Sequence, residues 1–253
     1  MKYYFLAAYL PEIHRDDTKI RISLSELLEE RFHIPKADWR EIELVLLGRD
    51  IIILDSLLKG KDLNMEHSIF SLEFWKEQIK SPQEGPEFIQ EFLTKWDRET
   101  FGVKDSDRLR AAYFNHVISN TANSFLRDYF IFQRDLYNIL AAKRARKIGL
   151  EPAEYIIGEG DLTEKLKTST AEDFGLEEEE FPWLEDLNKA ETPHQQQETL
   201  DRILWEYLDE NSGPDIFHFN VILAYLLKLE ILHKRLALGE EEGMEKVRRF
   251  GGV

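Results

Sequence analysis

"FLRDYFIFQRDLYNILAAKRARKIGLEP", Phe125 to Pro152, decides the fold. Apolar residues recur at Phe125, Tyr129, Phe132, Leu136 and Ile139, and the stripe runs on to Lys143, in steps of four, three, four, three and four. Such steps track 3.6 residues per turn, so the stretch predicts one long helix with a continuous face. Gly149 and Pro152 supply its stop, the first by left-handed freedom and the second by its missing N–H. Leu109, Tyr113 and Val117 lead into it with the same periodicity, after a loop "TFGVKDSD" that ends in an N-cap.

Asp135 and Asn138 are three residues apart and share a helix face. Ala141, Ala142 and Ala145 allow another helix to come close. Lys143, Arg144, Arg146 and Lys147 crowd the last turns, where free carbonyls form a negative pole. The pole accounts for the basic cluster without a ligand. It does not account for Asp135 and Asn138.

Helical signals continue outward on both sides. Ser23-Leu-Ser-Glu26 is a capping box, with Leu24, Leu27 and Leu28 on one face and Ile34-Pro35 as the terminator. A second helix starts near Ala37, carries Ile42, Val45 and Leu46, and meets a potential break at Gly48. "DIIILDSLL", Asp50–Leu58, has strand-like apolarity but reads better as helix. Amphipathic helices are expected around 68–79 and 87–96, with Pro82, Gly85 and Pro86 between them. Ala171–Leu187 is an acidic run expected to be a surface loop leading into a short helix. A helix over 199–211, the boundary "NSGP", a helix over 215–238 and a tail or short helix complete the chain. With no strand series and no Gly-rich phosphate loop, the class is all-α. The expected organisation is a single domain, 1–253, with sub-modules at 1–100, 101–170 and 171–253.

Composition limits the function. Of 253 residues, 43% are hydrophobic and 12% aromatic, enough to bury a core. There is no cysteine, which excludes disulfides, thiolate metal sites and cysteine nucleophiles. A formal net charge of −16 opposes general binding to nucleic acid. Residues 101–150 are the exception, with nine Lys/Arg, four Asp and no Glu; that net of +5 leaves −21 for the rest. This segment could face an acidic partner. The opening "MKYYFLAAYLPEI" is too short to span a bilayer and lacks a signal-peptide cleavage pattern. Lys228, Glu230, His233 and Lys234 interrupt the most apolar segment, 216–238, so no direct membrane span is expected.

The stretch "RDLYNILAAKRARKIGLEPAEYIIGEGDLTEKL", Arg134–Leu166, resembles the recurring motif of the central-stalk connector of V-type and archaeal-type ATPases, their C-type rotor component (d-type in eukaryotes). The matching positions are Asp135, Asn138, Arg144, Gly149, Gly160 and Leu162. "ILAYLLKLEILHKRLALGEEEGMEKVRRFGG" resembles the C-terminal module of that family, with Tyr225 and Glu230 in register. "RDIIILDSLL" echoes the Asp-led motif, with Ile53 at the Asn position. Among its members the chain is most similar to compact uncharacterised bacterial ones. The resemblance implies a non-catalytic connector of packed helical hairpins in a pseudo-repeated, funnel-like arrangement. Such a connector couples the rotor shaft to the membrane proteolipid ring for ATP-linked proton or sodium transport. It has no active site, cofactor or metal, and it is cytoplasmic and peripheral on the inner face of the membrane. Lys143, Arg144, Arg146 and Lys147 would then be its docking cluster.

Two other readings fit parts of the sequence. One is a helical adaptor unrelated to any ATPase. The other is a di-metal carboxylate helical bundle, because Glu-x-x-His occurs at Glu30–His33, Glu191–His194 and Glu230–His233. Pro193 spoils the middle copy, and His33 lies at a helix end. His14, His67, His116 and His218 have no ligand spacing, and neither G-x-S-x-G nor H-E-x-x-H occurs. Trp39, Trp75, Trp96, Trp183 and Trp205 read as core or interface anchors.

Overall fold

A computed structural model describes residues 2–96, 100–177 and 179–250, without the side chains of 193 and 238–250. Glu178 of the acidic run and the last three residues of the tail lie outside the described residues. The chain is all-α: eleven α-helices and two 3₁₀ turns, with no strand among the described residues. They form two compact units, Arg40–Phe181 and the combination of Met1–Trp39 with Pro182–Val253.

In the first-named unit, α3 (Lys36–Leu58) enters at Arg40 and is followed by α4 (Leu72–Lys80), α5 (Glu87–Lys95), α6 (Val103–Asn120), α7 (Ser124–Lys147) and α8 (Asp161–Thr168). The stripe that opened the sequence is α7, and Leu136 and Ile139 are fully inside. The buried face is wider than the stripe and takes in Leu126, Phe130, Ala142 and Ala145, while Phe132 and Lys143 are half-buried at its edge. Neighbouring helices on more than one side explain the extra width, since α7 packs on α6, α8 and the 3₁₀ turn Pro152–Glu154. Three residues join α6 and α7 into a hairpin, and Asn123 caps α7 by accepting from the Leu126 N–H at 2.9 Å. The buried Glu41 secures this corner from α3, accepting from the Thr121 hydroxyl at 2.5 Å and the Ala122 N–H at 3.0 Å.

"DIIILDSLL" is helical, and Gly48 does not break α3. Gly48 instead leaves room for Tyr113, whose hydroxyl would lie 2.9 Å from a Cβ placed there. That hydroxyl donates to the carbonyls of Leu44 and Val45, at 3.1 and 3.2 Å. The glycine is therefore a close-approach position within a helix that packing holds straight through it.

The other unit holds α1 (Tyr4–Tyr9), α2 (Leu24–Glu29), the 3₁₀ turn Glu30–His33, α9 (Leu184–Lys189), α10 (Pro193–Asn211) and α11 (Phe219–Phe250). The Ser23–Glu26 capping box is formed as expected. α10 begins six residues before the expected 199. Thr192 and Gln195 make a second capping box, and Pro193 occupies the first helical position, where its missing N–H is harmless. α11 begins at Phe219, after the expected 215, and its backbone stays helical past 238 to Phe250. α10 packs on α11, α9 on α10, and α1 on both α11 and the 3₁₀ turn. Leu208, Ile222, Leu223, Leu226 and Leu229 are fully buried here. At about 1.5–3 kcal/mol for each such side chain, this apolar seam outweighs the cross-helix ion pairs of Lys228 with Asp209 and Arg202 with Asp186. No helix among the described residues is long and apolar enough to cross a membrane.

Candidate functional site: the α7 motif and its loop

Asn138 is completely buried on α7. Its Oδ1 accepts from the Ile157 N–H and its Nδ2 donates to the Ile157 carbonyl, both at 2.8 Å. One amide side chain thus satisfies both backbone groups of a single loop residue, as a paired strand would. Asp135, one turn earlier, bonds Arg134 through Oδ1, with Nε at 3.0 Å and Nη2 at 2.9 Å. Burial pushes the Asp135 carboxyl up, and the Arg134 guanidinium opposes it. Arg134 in turn packs on Gly158, where φ is +81° and a Cβ would lie 3.1 Å from Nη1. The Asp135/Asn138 face therefore holds the loop 155–158 in place.

That loop forms one wall of an open groove of about 490 Å³. Lys104, Arg108 and Asn115 of α6 form the other wall. Lys104 bridges the groove to Glu154 at 2.5 Å and lies 5.2 Å from the centre of the Tyr155 ring. Pockets that enclose small molecules are mostly apolar with a few convergent polar groups. In this groove Lys104 and Glu154 already meet each other.

The basic cluster divides in two. Arg146 is tied into its own unit: Nη1 donates to the carbonyls of Ala171 and Glu172, Nη2 donates to that of Ser169 at 2.8 Å, and the guanidinium stacks 3.5 Å from the Phe174 ring centre. Phe174 is buried and has a φ of +61°. The expected acidic surface loop is thus pinned at its start. Lys143 is half-buried, and burial pushes its ammonium down against the pull of Asp173. Arg144 and Lys147 are exposed. Gly149, at φ +74°, ends the helix, with the Leu150 N–H donating to the Ala145 carbonyl at 2.8 Å. Gly160 precedes α8 at φ +137°.

Sequence reasoning missed Asp50 as a working residue. It is fully buried on α3, and its carboxylate accepts from the Ile69 N–H at 2.8 Å, the Phe70 N–H at 2.9 Å and Trp75 Nε1 at 2.9 Å. Burial nevertheless pushes its carboxyl up. The available signal was an Asp within a run of Ile and Leu, which has to find donors.

In the other unit Tyr225 is buried on α11, and desolvation, helped by Asp17, pushes its hydroxyl up to about 12. Glu230 lies five residues further along the same helix. The three Glu-x-x-His pairs occupy the 3₁₀ turn, the start of α10 and the interior of α11. Glu30 and His33 lie 3.4 Å apart, and His194 lies 3.6 Å from Glu198. Among the described residues, no group of three His, Asp or Glu side chains converges as metal ligands would.

Comparison with known proteins adds a family without an assigned activity. An uncharacterized protein of Chlamydia muridarum (strain MoPn / Nigg) is 22% identical over 261 residues, covering 95% of each chain. No solved structure matches. The model of the family described as "Protein of unknown function (DUF2764)" matches residues 1–250, and the chain belongs to that family.

Proposed function

We propose that this protein is a non-catalytic connector in the rotor of a V/A-type ATPase, joining the rotor shaft to the proteolipid ring. The observation that carries the reading is a construction used twice. α3 and α7 are 23 and 24 residues long, and each fastens a loop 19 or 20 residues downstream through one buried polar side chain. Both clamps lie within the Asp-led motifs that resemble the central-stalk connector family, the first at the motif's Asp, Asp50, and the second at its Asn, Asn138, where the first motif has Ile53. Repeated, rigid helix-and-loop modules suit a part that transmits torque and performs no chemistry. The exposed end of the basic cluster, Arg144 and Lys147, is its docking point for an acidic partner. Lys143 and Arg146 are largely committed within their own unit.

Charge reversal tests this reading. Arg144→Glu combined with Lys147→Glu leaves the fold intact and weakens assembly with the shaft and ring by about tenfold or more, with less salt dependence than the parent. Unchanged assembly and unchanged salt dependence reduce the cluster to a helix terminus.

A further inference from the structure

α1 carries no charged residue, and Tyr4, Phe5, Ala8 and Tyr9 all point outward from it. Phe5 stacks on Tyr9 at 5.8 Å with planes 9° apart, and contacts His33 of the 3₁₀ turn at 4.3 Å. Phe32, the chain neighbour of His33, is 98% exposed. At the other end Tyr4 meets Phe217 at 4.6 Å, beside the exposed Ile216. Tyr4, Phe5, Tyr9, Phe32 and Ile216 are the large apolar side chains that this unit exposes among its described residues. Aromatic rings offer about 150–250 Å² each, so these side chains together expose roughly 400–500 Å², the size of the largest apolar patch on an ordinary monomer. A fully exposed phenylalanine gains nothing in water and suits the centre of an interface.

The surrounding charge indicates what covers the strip. Partial desolvation pushes the Tyr9 hydroxyl up, and the carboxylates of Glu30, Glu26 and Glu29 act in the same direction. Glu26 and Glu29 are exposed. Lys2 pairs with Asp215 at 3.0 Å, and Arg31 lies 4.7 Å from the Trp39 ring centre. The exposed Arg21 acts on Tyr225 alongside Glu26 and Tyr9. On the acidic side Glu26 closes the Ser23 capping box and Glu30 lies 3.4 Å from His33. Three carboxylates thus face two cations, Arg21 and Arg31, that pair with no carboxylate among the described residues. An anionic lipid surface would be repelled by such a rim, and so would a second copy of this acidic chain.

We infer that the Tyr4–Tyr9 helix and Phe32 form a docking strip for a basic amphipathic helix of a partner protein, its apolar face on the rings and its Lys/Arg flanks on the glutamates. This inference does not rest on the rotor reading.

The probe is a designed Leu/Lys amphipathic helix about five turns long, paired with the same peptide bearing Glu for Lys. Binding to the full chain is followed by calorimetry. The Lys peptide binds, the Glu peptide does not, and Phe32→Ala or Phe5→Ala each weakens binding by about tenfold. Phe32→Ala leaves thermal unfolding unchanged, because the ring is exposed. A net-acidic chain attracts basic peptides anywhere on its surface, so binding that survives both substitutions overturns the inference. Equal binding of the two peptides overturns it too. So does Phe32-dependent self-association in sedimentation, which would make the occupant a second copy.

Discussion

Asp50 on α3 and Asn138 on α7 have the same task in one unit and perform it with different chemistry. Each is completely buried, and each fixes backbone about 20 residues downstream. Asp50 accepts from three N–H groups with a carboxylate; Asn138 accepts once and donates once with a neutral amide. The carboxylate makes stronger bonds but brings a charge into the interior, and burial raises its pKa. The amide makes weaker bonds and has no titration. The Asp50 clamp is therefore tied to pH and the Asn138 amide is not.

The largest expected effect lies on the charged side. Asp50→Ala orphans three buried donors and costs about 3–5 kcal/mol in denaturant unfolding, with a shift in Trp75 emission. A loss under about 1 kcal/mol means that water replaces the carboxylate and that the two clamps are not comparable.

The comparison also fixes a sign. A carboxyl whose pKa is higher folded than unfolded holds more proton when folded. Its stability contribution is complete below the ordinary aspartate value of about 3.9 and is lost as pH rises through the raised folded value. Asp50 is such a group, and its loss in Asp50→Ala flattens the fall in stability across that window. Asn138→Asp imposes the same behaviour on the second clamp by turning a carboxylate towards the Ile157 carbonyl. Its destabilisation, about 2–3 kcal/mol at the acid end, grows as pH rises. A pH-independent deficit would show that the loop moves away from residue 138 instead of meeting its charge.

Arg146→Ala removes the carbonyl bonds and the ring contact that pin 169–174, for about 1–2 kcal/mol, whereas Arg144→Ala stays within about 0.5 kcal/mol. Equal losses would erase the division of the cluster into an internal and an outward half. A smaller loss than at Arg146 is expected at Gly48. Alanine adds up to about 1 kcal/mol of helix propensity but displaces the Tyr113 hydroxyl from two carbonyls, so the net is a loss of about 1 kcal/mol. Thermal unfolding of Gly48→Ala, alone and with Tyr113→Phe, reads the coupling.

The sequence disclosed the helices more readily than the clamps. Periodicity identified α7, and the Ser23–Glu26 pair marked the start of α2, because both signals are local. Gly48 was misjudged as a potential break because the reason for a glycine there, Tyr113, is 65 positions away in the chain. Pro193 looked hostile to a helix interior and turned out to begin one, since only the Thr192–Gln195 box marks it as the first turn. Asn138 stood out through its spacing from Asp135, but its partner is backbone, which carries no residue-type signal. Asp50 was visible as part of an echoed motif, but its three donors come from a loop and an indole that no pattern links to it. The basic cluster was legible as charge. Its division was not, because that depends on which way Arg146 turns at the end of α7.

The most direct test of the connector reading is recovery of the tagged chain from native membranes in mild detergent, followed by mass spectrometry. The account predicts co-recovery of the catalytic-head, shaft and proteolipid components of a V/A-type ATPase, reduced by Arg144→Glu with Lys147→Glu. Intact ATPase complexes that lack this chain would contradict it.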